Sequence, residues 1–192
     1  MNQQKIRNKM KKWSLLLVVA IFAFIACNDD PELSNVLSYD GENFSAPQLP
    51  AGQHTFAVRF GEDELKDFIG KSLDEVTFYA GLQPESCVVR IFAEGTANEP
   101  GVELYNANVT DGLLLQDWTK HKIAGGGIEI TGEDIWIAID VIHAQAQQSI
   151  GCDAGPNQTD GDWLFRSDEP GWKSFSAGPE SVNWNIRGVV AD

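Results

Sequence analysis

Two rhythms of apolar and polar positions run along the chain, and they change over near residue 27. Before that point a single unbroken apolar stretch, Trp13 to Ala26 (WSLLLVVAIFAFIA), follows a polar and basic start. After it, apolar residues come only in short runs punctuated by Gly, Pro, Asn and Asp. His54 to Phe60 (HTFAVRF), Glu75 to Ala80, Cys87 to Ala93, Gly101 to Val109, Asp134 to Ile142 (DIWIAIDVI) and Asn183 to Val190 are rich in Val, Ile, Phe and Trp and fit β-strands. In DIWIAIDVI, Ile135, Ile137, Ile139 and Val141 share one face, and Trp136, Ala138, Asp140 and Ile142 share the other. Only Glu62 to Phe68 (EDELKDF) reads as helical, with acids in its first turn and Gly70 placed to end it. Many short strands with one short helix predict an all-β chain, an antiparallel β-sandwich of jelly-roll type, forming a single domain over residues 36–192.

The first rhythm belongs to a different kind of segment. A basic n-region, a 14-residue apolar core and the small residue Ala26 ahead of Cys27 describe a secretory signal over residues 1–26. The apolar stretch falls short of the roughly 20 residues that a membrane-spanning helix needs. Phe24-Ile25-Ala26-Cys27 resembles the bacterial lipobox, with Phe where Leu is usual. That resemblance implies acylation of Cys27 and a membrane anchor through the lipid. Residues 27–35, opening with Asn28-Asp29-Asp30-Pro31-Glu32, read as an acidic tether. Acids directly after the cysteine also resemble the surface-export signal of lipoproteins in one group of Gram-negative anaerobes, which implies an outer membrane lipoprotein exposed at the cell surface.

Charge sharpens this division. The whole chain carries a net charge of −14, yet all 28 acids lie beyond Cys27 with only nine of the 14 basic residues, so the part from Cys27 onward carries −19. Such an excess argues against nucleic acid as a partner, because phosphate binding needs clustered Lys and Arg. A hydrophobic content of 43% excludes a disordered chain.

Candidate chemistry is sparse. With Cys27 acylated, Cys87 and Cys152 are left as an even pair; a disulfide between them would close a loop of about 65 residues and contribute roughly 4 kcal/mol. The other reading makes Cys87 a small buried strand residue. In the loop from Asp153 to Asp162, the oxygens of Asp153, Asn157, Asp160 and Asp162 suit Ca²⁺, which accepts six to eight oxygen ligands in irregular geometry. The same residue types also serve as turn formers. Trp163 and Trp172 lie beside Gly, Asp and Pro, where an indole could stack on a sugar or a partner, and Tyr39 is a weaker candidate of the same kind; Trp136 and Trp184 read as core. No G-x-S-x-G or H-E-x-x-H pattern occurs, and Gly70-Lys71-Ser72 lacks the first Gly of a phosphate loop.

Several segments taken in order carry a wider resemblance: Ala57-Val58-Arg59-Phe60, Val76-Thr77-Phe78-Tyr79, Val89-Arg90-Ile91-Phe92, Ile135-Trp136-Ile137-Ala138, Gly151-Cys152-Asp153-Ala154-Gly155-Pro156, Gly161-Asp162-Trp163 and Asn183-Trp184-Asn185-Ile186-Arg187. They resemble the jelly-roll domains related to cleaved adhesins, found on surface proteins and secreted proteases of the same anaerobes. The resemblance implies a non-catalytic, adhesin-like module binding an extracellular glycan or protein. A structural subunit of a surface complex, or a small glycan hydrolase, are the alternatives from other classes.

Overall fold

The computed structural model describes residues 35–177 and 181–191. The leader over residues 1–26, Cys27 and all but the last residue of the tether lie outside the described residues. The described residues form eleven strands: β1 (Val36–Leu37), β2 (Gly52–Phe60), β3 (Ser72–Ala80), β4 (Ser86–Phe92), β5 (Glu103–Asn108), β6 (Asp117–Lys122), β7 (Ile128–Glu129), β8 (Ile135–His143), β9 (Trp163–Arg166), β10 (Trp172–Ser174) and β11 (Ile186–Val190). They pair antiparallel in two sheets. One has the order β10-β9-β2-β8-β4-β5, the other β1-β11-β3-β6, with β7 also on β3. The chain crosses repeatedly between sheets, as β2 lies in the larger sheet, β3 in the smaller, β4 and β5 in the larger again. The all-β sandwich and its one short helix are thus as the pattern predicts.

Period-2 alternation decides what faces the interior. From the larger sheet come Phe56, Val58, Phe60, Cys87, Val89, Ile91, Ile135, Ile137, Ile139 and Val141; from the smaller come Val76, Phe78, Ala80, Ile186 and Val190. On β3 the alternation slips, because Leu73 and Val76 are both fully buried although three positions apart. A bulge opposite Val189/Val190 absorbs the extra residue. Gly188 sits where the sheets approach closely: a Cβ there would lie 2.7 Å from Leu73 Cδ1 and 2.9 Å from Ile137 Cδ1.

The helix is shorter than its acidic pattern suggests. α1 (Glu62–Leu65) passes into a 3₁₀ turn at Lys66–Phe68. Glu64 Oε2 accepts the Gly61 N–H at 3.1 Å, fixing the start, and Gly70 at φ +85° turns the chain away. Among the described residues no helix is long and apolar enough to cross a membrane.

One expectation fails in the core. No disulfide joins Cys87 to Cys152: Cys87 is a buried free thiol on β4, whereas Cys152 pairs by its backbone with Ser45 and Trp184. Cys87 fills the inter-sheet layer as a small apolar side chain, and burial, followed by the charge of Asp140, pushes its thiol pKa up to about 12.

Candidate functional site

In a two-layer sandwich the outward residues of each strand meet water, so polar side chains are expected there. The larger sheet departs from this. Register places Trp163, Ala57 and Ala138 in one cross-strand row, Arg59, Trp136 and Phe92 in the next, and Trp172 beside Phe165 on the other side. Ala57, Trp136 and Ala138 are fully buried and form a second apolar cluster, separate from the main core, against which Phe92, Trp163 and Trp172 pack half-buried. The two alanines matter because their short side chains leave a shallow floor on which an indole can lie. Trp136 has ring centroids 5.4 Å from Trp163 and 6.0 Å from Trp172, and Trp172 lies 5.8 Å from Phe165.

A polar strip adjoins this shelf. Asp140, nearly buried on β8, accepts from Gln53 Nε2 at 3.0 Å and from Arg90 Nε at 3.2 Å; Arg90 NH1 reaches Glu103 at 2.5 Å, and Asn106 Nδ2 donates to the same carboxylate. Beyond the shelf, the Arg59 guanidinium is held in two bonds by Asp134, stands 3.9 Å from Asp160 and lies 5.8 Å from the Trp136 ring centroid. Aromatic surface flanked by planar donors and acceptors suits a ligand with both apolar faces and hydroxyls.

The structure therefore brings Trp163 and Trp172 together, through Trp136, whose part in the site is not evident from sequence. Both open short strands; they do not lie in loops. Tyr39 sits elsewhere in role: its hydroxyl donates to the Arg59 carbonyl at 2.7 Å and its ring stacks on Phe60 at 5.0 Å. Burial, with the charges of Glu64 and Asp160, raises the phenol pKa well above its usual range. Tyr39 anchors the chain to the end of β2.

The acidic loop forms ties between segments. Asp153, 6% exposed, accepts from Gly155 N (2.9 Å), Asn183 N (2.7 Å), Asn183 Nδ2 (2.9 Å) and Gly41 N (3.1 Å). Burial works against its ionisation, but these bonds outweigh it and hold the carboxyl below the ordinary aspartate range. Asp162 accepts from the Ser174 hydroxyl and from Ser176 N at 2.6 Å, Asp160 from Trp163 Nε1 at 2.9 Å, and Asn157 N donates to Ser181 Oγ at 3.1 Å. Of the residues expected to hold calcium, Asp153, Asn157, Asp160 and Asp162, each carboxylate faces N–H or O–H donors of its own, and among the described residues no three acidic, histidine or cysteine side chains form a group that could hold a metal ion. What these ties do for the site is positional, since Asp160 fixes the Trp163 ring and Asp162 fixes Ser174, the last residue of β10.

Neither a family model nor a curated protein matches the sequence. Among solved structures the chain is similar to the cysteine protease and lectin-like domains of Cwp84, a surface layer associated protein of Clostridium difficile, with a TM-score of 0.52 at 12% identity. The shared feature is the antiparallel β-sandwich fold. That match covers 82% of this chain and 36% of the other; a second structure of the same clostridial protease, after propeptide cleavage, gives a TM-score of 0.51 at 13% identity, covering 82% and 40%. The chain thus spans little more than a third of these proteins, and at such identity the likeness extends to the fold alone.

Proposed function

We propose that this chain is a cell-surface binding module, tethered by a lipid on Cys27, that holds an extracellular glycan against the outer face of its larger sheet. The observation that carries the reading is the second apolar cluster. Three tryptophans and two phenylalanines occupy the solvent side of a sheet whose other side already packs the core. The core is already closed on the other face and does not require half-exposed indoles on this one, whereas a half-exposed indole offers a sugar ring a flat apolar surface. Likeness to a lectin-like domain of a surface protein supports the same reading.

A glycan array probed with the chain, and with Trp172→Ala beside it, tests the proposal. Binding to defined glycans that the variant loses supports it; an empty array, with a protein captured from surface extract through the same face, replaces glycan by a protein partner. The anchor is tested separately: Cys27→Ser should leave the membrane fraction, since acyl chains contribute about 0.8 kcal/mol per buried methylene.

A further inference from the structure

Trp136 is fully buried, and among the described residues its indole N–H has no hydrogen-bond partner. A buried donor left without an acceptor is a standing cost to the fold. Trp184, equally buried, shows the usual solution, because its indole N–H donates to the Trp163 carbonyl at 2.7 Å. The unmet donor therefore sits in the middle of the aromatic cluster on the outer face of the sheet, where a ligand would rest.

What covers Trp136 is unequal in its attachments. Arg59 is locked by Asp134 and Asp160, and Trp163 is pinned through its indole N–H to Asp160. Phe92 belongs to β4, which is paired on both sides by β5 and β8. Trp172 differs on every count. Its indole makes no hydrogen bond among the described residues, and it opens β10, a three-residue edge strand paired only with β9; Asp162 holds the far end at Ser174, while the Trp172 end follows Gly171 at φ +71°. Short edge elements with few partners open at the low end of the local stability scale.

Resting on the reading of this face as a glycan site, we infer that Trp172 is a movable cover and that the Trp136 indole N–H is the polar contact it uncovers, donating to an oxygen of a neutral hexopyranose. Neutrality follows from the surroundings: Arg59 holds Asp134, and Arg90 holds Asp140 and Glu103, so the cations bordering the cluster already have their anions. The sugar would lay its apolar face where Trp172 rests and bring one hydroxyl or ring oxygen to the unmet donor.

Hydrogen exchange of the indole protons, followed by NMR on the full chain in detergent micelles, reads this out. Trp136 should exchange at least about tenfold faster than Trp184 despite equal burial, because it needs only local opening. Trp172→Phe and then Trp172→Ala should speed Trp136 in that order and leave Trp184 unchanged. Equal rates for Trp136 and Trp184, or rates at Trp136 that ignore both substitutions, overturn the cover. The methyl glycosides of glucose, galactose and mannose, each at about 100 mM to fill a site of millimolar affinity, then supply the probe. Slower exchange and a downfield shift at Trp136 with any of them supports the contact. Shifts at Trp163 and Trp172 with no change at Trp136 overturn it while the face remains a glycan site; a glycan that binds while moving none of the three removes the reading of the face itself.

Discussion

Replacing Asp153 by alanine tests whether the acidic loop is held together as described. Its carboxylate accepts four N–H donors from three separate stretches of chain: Gly41 near the start of the domain, Gly155 in the loop itself, and Asn183 just before β11. Gly41 is exposed and Gly155 half-exposed, so both N–H groups can turn to water. Asn183 is 1% exposed, and its backbone and side-chain donors cannot both do so, although Nδ2 keeps the Pro156 carbonyl at 3.1 Å. Two buried donors deprived of an ionised acceptor, at about 1–3 kcal/mol each, predict a loss of about 2–5 kcal/mol. At roughly 2–4 °C per kcal/mol for a domain of this size, the melting temperature should fall by about 4–20 °C. The pH dependence carries a second signature. The folded carboxyl titrates below its unfolded value, so its contribution is full above about pH 4 and is lost as pH falls through the folded pKa. Wild type should lose stability across that acid window more steeply than the variant. Denaturant titrations at pH 7 and pH 3 measure both effects. A variant within about 0.5 kcal/mol of wild type would refute the tie, and a chelator that destabilised wild type but not the variant would show that Asp153 serves a cation instead.

Three further outcomes follow from the same packing. Trp136→Ala should cost about 3–5 kcal/mol in denaturant titration, as for other buried aromatics, and Trp172→Ala much less, since Trp172 is half-buried; equal costs would deny the distinction between floor and cover. His54 and His143 are 1% and 2% exposed with ring centroids 4.9 Å apart, and burial, then the neighbouring His54, lowers the His143 pKa. The unfolded chain therefore binds the proton more readily, so stability should be full above about pH 6.5 and decline as pH falls below it, with His143→Gln flattening that slope in melts at pH 7.5 and 5.5. Cys87 should resist iodoacetamide in the native chain at pH 8 and react once denatured without reductant; a mass showing it blocked by a disulfide would contradict the free thiol.

The strands that sequence makes legible are those with strong alternation. β8 shows both of its faces in DIWIAIDVI, and β2, β3, β4, β5 and β11 sit within a few residues of where their apolar runs point. The strands that escape are short or polar. β6 reads DWTKHK, with just one aliphatic-free, charge-rich hexapeptide to announce it, because it is a sheet edge with one strand partner. β9 and β10 hold four and three residues, and Arg166 and Lys173 occupy positions where alternation would ask for apolar residues. Missing those two strands hides the site, since Trp163 and Trp172 then look like loop residues. Alternation puts Trp136 opposite the isoleucines of its strand, yet which side faces water depends on where the second sheet packs, and that is long-range information. Ala57 and Ala138 carried the available signal: two small residues that pair with each other across β2 and β8, in the row next to Trp136, mark a place prepared for an indole. The acids of the loop show the converse. Their spacing is compatible with metal ligands, but the donors that Asp153 faces, on Asn183 and Gly41, lie far away in sequence and are not legible from it.

The most direct test of the binding face compares two tryptophans on opposite sheets. Trp172 belongs to the aromatic shelf, whereas Trp118, on β6 of the smaller sheet, lies under the Arg187 guanidinium at 4.1 Å. Calorimetric titration with a glycan selected on the array should show Trp172→Ala losing about tenfold or more in affinity, the equivalent of roughly 1.4 kcal/mol, and Trp118→Ala binding like wild type. Undiminished binding by Trp172→Ala, or an equal loss from Trp118→Ala, would contradict the assignment of the ligand to the outer face of the larger sheet.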